Sequence, residues 1–229
     1  MLNSKRPHKI AVYFMPGMAA GPAIFEHIKL DASRFECVYL EWELPTPKMT
    51  LQEYARLMTR HIVHDNPVLL GVSFGGILVQ EMARMVHVKK TIIVSSVKCT
   101  AELPKKMLFA RYTKAHKLLP TGLVNNVELL AKYAFGEAVT KRLKLYERYL
   151  SVRDKAYLDW CIDKTVNWKQ EHPPAGLVHI HGDKDTVFPL ANPTNCLVVK
   201  NATHTMIIHR AKWFNEHLPT IILQENSSI

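Results

Sequence analysis

Cysteine is scarce in this sequence, and the spacing of the cysteines suits neither a small disulfide-linked domain nor a small zinc-binding domain. The four cysteines among 229 residues lie far apart, and they form no C-x-x-C pair and no spacing that suits a structural zinc ion. A chain of this length can bury a full hydrophobic core without disulfides or metals. We therefore expect reduced, mostly buried thiols in a reducing compartment. The cysteines are Cys37, Cys99, Cys161 and Cys196.

Long apolar runs and blocks of like charge are also missing. No apolar stretch is long enough to cross a membrane, and no run of five residues carries charge of one sign. The net charge of +10 is therefore expected to belong to a basic, solvated surface. The sequence predicts neither a nucleic-acid partner nor a membrane partner.

The N-terminus has the outline of a secretory signal, because the basic stretch MLNSKRPHK precedes the apolar stretch IAVYFMPGMAAG. Pro16 and Gly17 interrupt the apolar stretch early, and KIAVYF is typical of a short core strand followed by a glycine loop. Cleavage after the alanines would remove that strand. We therefore expect this segment to be structural and the protein to be cytoplasmic.

Metal and dinucleotide motifs are absent as well. The 12 histidines show no H-E-x-x-H pattern and no paired-ligand spacing. The glycines of PGMAAG do not have the G-x-G-x-x-G spacing of a dinucleotide-binding turn. We expect no metal and no cofactor.

Six short apolar runs predict the strands of a sheet. Most are continuous rather than alternating, which is typical of strands buried on both faces of a parallel sheet. Helical patterns lie between the early runs, and Thr50 and Glu53 form a capping box at the start of one of them. This alternation favours an α/β fold with a doubly wound, mostly parallel sheet of about six strands. Strands are predicted over 9–14, 35–42, 67–73, 90–97, 176–182 and 196–201, with further helices over 22–30, 75–86 and about 206–223.

The alternation stops between the fourth and fifth strands. Residues 101–170 have helical patterns throughout, and they hold 14 Lys and Arg residues against 7 Asp and Glu residues. They lack the glycine- and serine-rich composition of a flexible linker. We predict that residues 101–170 form an inserted helical cap, and that residues 1–100 and 171–229 form one core domain. Large side chains of the insertion could line a lid or form the insertion's own core, namely Met107, Phe109, Phe135, Trp160 and Trp168.

One serine lies among glycines at the end of the third predicted strand, in the stretch GVSFGG. A bare G-x-S-x-G match is weak, but here a strand precedes it and a helix follows it directly. Gly71 and Gly75 would remove collisions around a strained turn at Ser73, and Gly76 would let the next helix pack closely. The helix N-terminus would then direct backbone N–H groups at an anion formed beside the serine.

A serine hydroxyl needs a base, and the base needs an acid to orient it. The stretch HGDKDTVFP places Asp185 after the fifth strand, with Asp183 as the alternative acid. The stretch NATH places His204 after the sixth strand. His209 is the alternative base, but it falls within a predicted helix, whereas catalytic residues favour loops at strand ends. His179 and His181 lie within a predicted strand and are expected to be structural.

The chain resembles the α/β-hydrolases, in a small bacterial-type form with a helical cap. The resemblance covers about residues 9–222 and rests on GVSFGG, HGDKDTVFP, NATH and the PGM that follows the first strand. The chain order Ser73, Asp185, His204 is the order used in that fold. Only 19 positions separate Asp185 from His204, so the helix that family members usually carry there is expected to be short or missing.

This resemblance implies roles for five residues. Ser73 would attack a carbonyl carbon, His204 would accept its proton, and Asp185 would hold the imidazole. The backbone N–H groups of Met18 and Phe74 would hold the oxyanion. The implied partner is a small-molecule acyl substrate.

The implied activity is hydrolysis of a small carboxylic ester or thioester by a serine hydrolase. The same triad serves amide, C–C bond and peroxide chemistry, and the sequence does not separate these. A non-catalytic, hydrolase-like protein that binds a small ligand is the alternative from another class. Turnover of short acyl esters would discriminate between catalysis and binding.

Overall fold

A six-stranded sheet and the helices that connect its strands make up most of the structure. The computed structural model describes residues 9–118, 148–191, 193 and 195–225. The strands are β1 (Ile10–Met15), β2 (Phe35–Tyr39), β3 (Val68–Val72), β4 (Lys90–Val94), β5 (Val178–Gly182) and β6 (Leu197–Val199). The α-helices are α1 (Leu51–Thr59), α2 (Phe74–Met82), α3 (Lys105–Thr113), α4 (Lys155–Asn167), α5 (Met206–His209) and α6 (Ala211–Leu223). Short 3-10 helices lie at Pro22–Phe25, Thr100–Glu102 and Ala115–Leu118.

The strands pair in the order β2-β1-β3-β4-β5-β6, and every neighbouring pair is parallel. The predicted doubly wound parallel sheet of six strands is therefore confirmed. Gly71 of β3 lies between Met15 of β1 and Ile93 of β4 in the register. Because the carboxyl ends of parallel strands lie at one edge, the loops after β1, β3, β5 and β6 meet there.

Both faces of the sheet are buried, and side chains alternate between two cores. On β1, Tyr13 and Met15 face one core, whereas Val12 and Phe14 face the other. The first core includes buried residues of α1, α2 and α4. The second includes residues of the first 3-10 helix, α5 and α6. Continuous apolar strands result, because each face of the sheet needs apolar side chains.

Some boundaries differ from those that the sequence predicts. The fourth strand is expected to reach residue 97, but β4 ends at Val94, because Ser95 has a left-handed backbone with a φ of 48°. The single helix expected over 206–223 is divided at Arg210, whose φ is −116°. Among the described residues between Asp185 and β6 there is no helix, as expected from the short spacing.

The inserted segment is described at its two ends, and these are helical as expected. Arg111 of α3 donates to the carbonyl oxygen of Trp168 at 2.8 Å, which ties the start of the segment to its end. The helical pattern expected over residues 119–147 of the segment lies outside the described residues. Over the ranges that the structure does describe, no helix is both long and apolar enough to cross a membrane.

The capping box expected at the start of α1 is confirmed. The Thr50 Oγ1 accepts a hydrogen bond from the Glu53 backbone N–H at 3.1 Å. The Thr50 backbone N–H in turn donates to Glu53 Oε2 at 2.8 Å. Two groups that would otherwise lack helical partners are thereby satisfied.

Thr50→Ala is expected to lower the free energy of unfolding by about 1 kcal/mol, because it removes the acceptor of this cap. Chemical denaturation measures the change. Thr59→Ala at the other end of α1 is the control, because its hydroxyl donates to the Arg56 carbonyl and accepts no helical N–H. Equal losses in the two variants would contradict the capping role.

Candidate active site

The turn at Ser73 joins β3 directly to α2. Its backbone has φ 53° and ψ −121°, a conformation that a non-glycine residue adopts only at a cost. The Ser73 backbone N–H donates to Val94 O at 2.9 Å, and the Ser96 hydroxyl donates to Ser73 O at 2.7 Å. Both partners follow or end β4, so the neighbouring strand holds the turn in place.

The glycines around Ser73 provide clearance, as the sequence predicts. A Cβ atom on Gly71 would lie 2.2 Å from the carbonyl oxygen of Gly75. A Cβ atom on Gly75 would lie 2.3 Å from the carbonyl oxygen of Pro16. A Cβ atom on Gly76 would lie 2.5 Å from the Ser96 hydroxyl. Any side chain at these positions would therefore force the strand, the turn or the helix apart.

The structure brings Ser73, His204 and Asp185 together in one hydrogen-bonded chain. His204 Nε2 lies 3.0 Å from Ser73 Oγ, and His204 Nδ1 lies 2.8 Å from Asp185 Oδ2. A carboxylate only accepts, so Nδ1 carries the hydrogen and donates it to Asp185. In the neutral ring Nε2 is then left as an acceptor for the Ser73 hydroxyl.

Asp185 is held in a fixed orientation and in its charged form. Its Oδ1 accepts hydrogen bonds from the backbone N–H groups of Val187 at 2.8 Å and Phe188 at 2.9 Å. Burial alone would raise the pKa of this carboxyl, but the facing His204 and the backbone donors hold the pKa below its usual value. The imidazole therefore faces a buried negative charge.

The alternative acid and base lie elsewhere. Asp183 accepts from the backbone N–H of Ala202 at 3.3 Å, which ties the acid loop to the loop after β6. His209 is exposed at the last residue of α5. Of the two histidines considered, only His204 lies within hydrogen-bond distance of Ser73.

Two buried histidines of β5 lie behind Asp185. His181 Nε2 donates to Phe188 O at 2.7 Å and lies 3.6 Å from Asp185 Oδ2. His179 Nε2 and His181 Nδ1 are 3.1 Å apart. Since His181 Nε2 carries a hydrogen, its neutral ring accepts at Nδ1 from His179. Their position within the strand agrees with the structural role expected from the sequence.

Met18 and Phe74, whose backbone N–H groups are predicted for an oxyanion hole, line the same cavity as Ser73. Phe74 is the first residue of α2, so its N–H has no acceptor within the helix. Gly17 brings the first loop close, since a Cβ atom there would lie 3.3 Å from Ser73 Cβ. Within the described part of the chain, neither Met18 N–H nor Phe74 N–H donates to a protein acceptor.

A cavity of about 70 Å³ opens beside Ser73 and His204. Most of its lining is apolar, and among the described residues no Lys, Arg, Asp or Glu contributes to it. No group of three or more His, Cys, Asp or Glu residues within those ranges could hold a metal ion. Among the larger lining side chains that sequence reasoning missed are these five: Ile24, Val187, Phe188, Thr205 and Ile207. Four of these five lie within three residues after Asp185 or His204. The rule that binding residues lie at the carboxyl ends of parallel strands could therefore have found them.

The large side chains of residues 101–170 that could line a lid lie in different places in the structure. Met107 lines the cavity, as does Thr165 of α4. Trp160 is buried with its ring 5.9 Å from that of Phe74. Trp168 is buried, and its Nε1 donates to Glu81 Oε1 at 2.8 Å. Phe109 is 67% exposed, and Phe135 lies outside the described residues.

No protein-family model matches this chain, and neither does any curated protein. Several solved structures are similar to it over nearly their whole length. An enol-lactonase from Burkholderia xenovorans has 13% identity and a TM-score of 0.68, with 96% of this chain and 94% of that chain covered. A bromoperoxidase from Bacillus anthracis has 16% identity and a TM-score of 0.70, with 95% and 93% covered. A lipase-esterase related protein from Clostridium acetobutylicum has 15% identity and a TM-score of 0.65, with 94% and 96% covered. At such low identities the likeness shows a shared fold.

Acid is expected to destabilise the protein through His179. Burial, together with His181 and Lys98, lowers the pKa of His179 to about 3 from its ordinary value of 6.5. The unfolded chain therefore binds a proton at His179 more tightly than the folded chain does. The stabilising contribution is complete above about pH 6.5 and is lost as the pH falls toward about 3, with a slope of at most about 1.4 kcal/mol per pH unit. His179→Gln should make the acid dependence of the unfolding free energy shallower.

Denaturant titrations at several pH values between 4 and 8 measure this slope. His87→Gln is the control, because His87 is exposed. An acid dependence that is unchanged by His179→Gln, or equally changed by His87→Gln, would contradict the assignment.

Proposed function

We propose that this chain, which has the α/β-hydrolase fold, is a serine hydrolase that cleaves a small carboxylic ester or thioester through an acyl-enzyme. The observation that carries the proposal is the chain of hydrogen bonds from Ser73 through His204 to the buried, ionised Asp185. A non-catalytic binding protein would have no need of this arrangement. The strained turn also aims the serine at a cavity that a substrate could enter.

The first half of the reaction forms the acyl-enzyme. Ser73 Oγ attacks the carbonyl carbon, and its proton passes to His204 Nε2. The carbonyl oxygen becomes an oxyanion, which the N–H groups of Met18 and Phe74 stabilise. When the tetrahedral centre collapses, the leaving oxygen or sulfur takes the proton from His204 and departs as an alcohol or thiol.

The second half returns the enzyme to its starting state. Water attacks the ester carbon on Ser73 while His204 Nε2 accepts one of its protons. Collapse of this second tetrahedral centre releases the carboxylic acid, and the proton returns to Ser73 Oγ. In both halves the charge of Asp185 stabilises the imidazolium that forms at His204.

The size and polarity of the cavity support a short, uncharged acyl group. A water molecule needs roughly 10–15 Å³ on the same measure, so a cavity of about 70 Å³ accommodates about five to seven water-sized groups. The basic excess of the insertion contributes no described side chain to the cavity lining. An anionic substrate therefore has no support from the described residues.

The position of Met107 and Thr165 supports the proposal that residues 101–170 act as a cap on the core formed by residues 1–100 and 171–229. Met107 lies on α3 near the start of the insertion, and Thr165 lies on α4 near its end. Both line the cavity, so each end of the insertion contributes one wall. A cap in this place would exclude water and limit the length of the acyl chain.

A fluorophosphonate probe is expected to label Ser73 and no other residue. An activated serine displaces fluoride and forms an O–P bond, whereas an ordinary serine does not react. Intact mass should show one adduct per chain, and peptide mapping should place it on the peptide that contains GVSFGG. Ser73→Ala should lose the adduct and reduce turnover of p-nitrophenyl acetate by up to about a million-fold.

His204→Ala and His209→Ala provide the matched comparison of two histidines. His204→Ala should abolish turnover, and His209→Ala should retain most of it. Labelling at another serine, or turnover without labelling of Ser73, would contradict the triad. Neither labelling nor turnover with any acyl ester would favour a binding protein.

Met107→Ala is expected to shift the preference toward longer acyl chains, because it enlarges the cavity by most of one side chain. The ratio of kcat/KM for p-nitrophenyl hexanoate to that for the acetate should rise about tenfold or more. Phe109→Ala on the same helix is the control, because Phe109 is 67% exposed. An unchanged ratio in Met107→Ala would show that α3 does not limit the acyl chain.

A further inference from the structure

The loop that carries Met18 has no regular structure of its own, and other parts of the chain hold it in place. This β1 loop, residues 16–21, connects β1 to the first 3-10 helix. Its Gly17 O accepts from Ala20 N at 3.1 Å, which is its one internal backbone hydrogen bond among the described contacts. Ile24 N donates to Gly21 O at 3.3 Å, and the other hydrogen-bond partners of this loop come from 25 or more positions along the sequence.

Trp42 holds the peptide group that contains Met18 N–H. Its Nε1 donates to Gly17 O at 3.0 Å in a buried position. Gly17 C=O and Met18 N–H belong to one planar trans peptide, in which the two groups point in opposite directions. Fixing the carbonyl against Trp42 therefore fixes the direction of the Met18 N–H.

The Trp42 ring also contacts the residue that supplies the second N–H. It stacks on the Phe74 ring with centroids 5.4 Å apart and planes at 14°. Trp42 lies beyond the end of β2 and is only 8% exposed. One side chain thus contacts the Gly17 carbonyl, which shares a peptide group with Met18 N–H, and the ring of Phe74.

Tyr157 holds the next peptide group. Its hydroxyl accepts from Ala19 N at 3.3 Å, and the tyrosine is fully buried on α4. Ala19 O accepts from Val152 N at 3.1 Å. Ala19 has a left-handed backbone with a φ of 65°, which a non-glycine residue keeps only when its surroundings hold it. The Trp42 and Tyr157 rings lie 5.5 Å apart, so the two supports contact one another.

We propose that Trp42 and Tyr157 are positioning residues for the oxyanion hole, acting through the β1 loop and Phe74. This proposal rests on the proposed function. Neither side chain is among the residues that line the cavity beside Ser73, so each would act through the backbone that it holds. Stabilisation of an oxyanion depends on donors that are already in place when the charge develops. A small displacement of Met18 N–H would therefore slow acylation and leave substrate binding nearly unchanged.

Tyr157→Phe tests the proposal by removing one hydroxyl group. The rate constant of acylation, measured from the nitrophenolate burst with p-nitrophenyl acetate, should fall about tenfold to a hundredfold. The dissociation constant of the substrate should change less than about twofold, because the lost interaction acts on the transition state. Inhibition by a short alkyl trifluoromethyl ketone should weaken by a factor similar to the loss in rate, because its hemiketal oxyanion occupies the same hole.

Tyr13→Phe is the matched control. Tyr13 is also buried, and its hydroxyl accepts from a loop backbone N–H, that of Val63, at 3.0 Å. Both variants lose the hydroxyl of a buried tyrosine, and Tyr13→Phe also loses the hydrogen bond to His64 Nδ1 at 2.7 Å, so thermal unfolding should show that it is destabilised at least as much as Tyr157→Phe. Only Tyr157→Phe should slow acylation, and Tyr13→Phe should remain within about twofold of the wild type.

Trp42→Phe is the second variant, and it keeps an aromatic ring while removing the Nε1 donor. It should reproduce the slower acylation and the weaker ketone inhibition. It also tests the proposal if Tyr157→Phe fails to fold. Wild-type protein that labels at Ser73, with acylation in both variants equal to that of Tyr13→Phe, would overturn the positioning roles alone. Wild-type protein that neither labels at Ser73 nor turns over an ester would overturn the proposed function, and this proposal with it.

Discussion

The backbone of Ser73 lies in a region that costs a non-glycine residue roughly 1–3 kcal/mol. It stays there because Val94 at the end of β4 and Ser96 just beyond it bind its N–H and C=O groups, and because Gly71 and Gly75 leave the necessary space. This strained turn ends β3, starts α2 and points the hydroxyl away from the sheet. The orientation of Phe74 N–H follows from the same turn. Without this turn, the other groups at this edge of the sheet would not converge on the Ser73 hydroxyl.

Burial and hydrogen bonding determine which groups of the site carry a charge. Asp185 keeps its negative charge in a buried position because two backbone N–H groups and the His204 ring stabilise it. Behind it, burial lowers the pKa of His179 and His181 and so favours their neutral forms. The Asp185 carboxylate therefore faces the His204 ring on the side of the cavity. On the side of β5 it faces neutral histidines, so no second positive charge competes with His204 for it. In the proposed reaction, such an arrangement would favour proton transfer toward His204.

Much of this edge could be predicted from the sequence, because local patterns determine it. Ser73, Asp185 and His204 each follow an apolar run, and parallel strands bring their carboxyl ends together. Trp42 and Tyr157 could not be found in this way. They lie 25 and 138 positions from their partners in the β1 loop, and no motif marks a single aromatic residue as a support. The end of β4 was missed for a different reason, since a serine carries no local signal for a left-handed backbone.

Residues 148–157 form the return segment, which leads back from the insertion to the core. Their contacts limit which part of the chain could be exchanged as one unit. Tyr149 O accepts from Gly21 N, Val152 N donates to Ala19 O, and Tyr157 accepts from Ala19 N. An exchange of the whole of residues 101–170 between related chains would remove these supports along with the proposed cap. The interchangeable unit is therefore smaller than the insertion seen in the sequence, and it ends before Arg148. In evolution, as in engineering, the return segment would have to be inherited with the β1 loop rather than with the proposed cap.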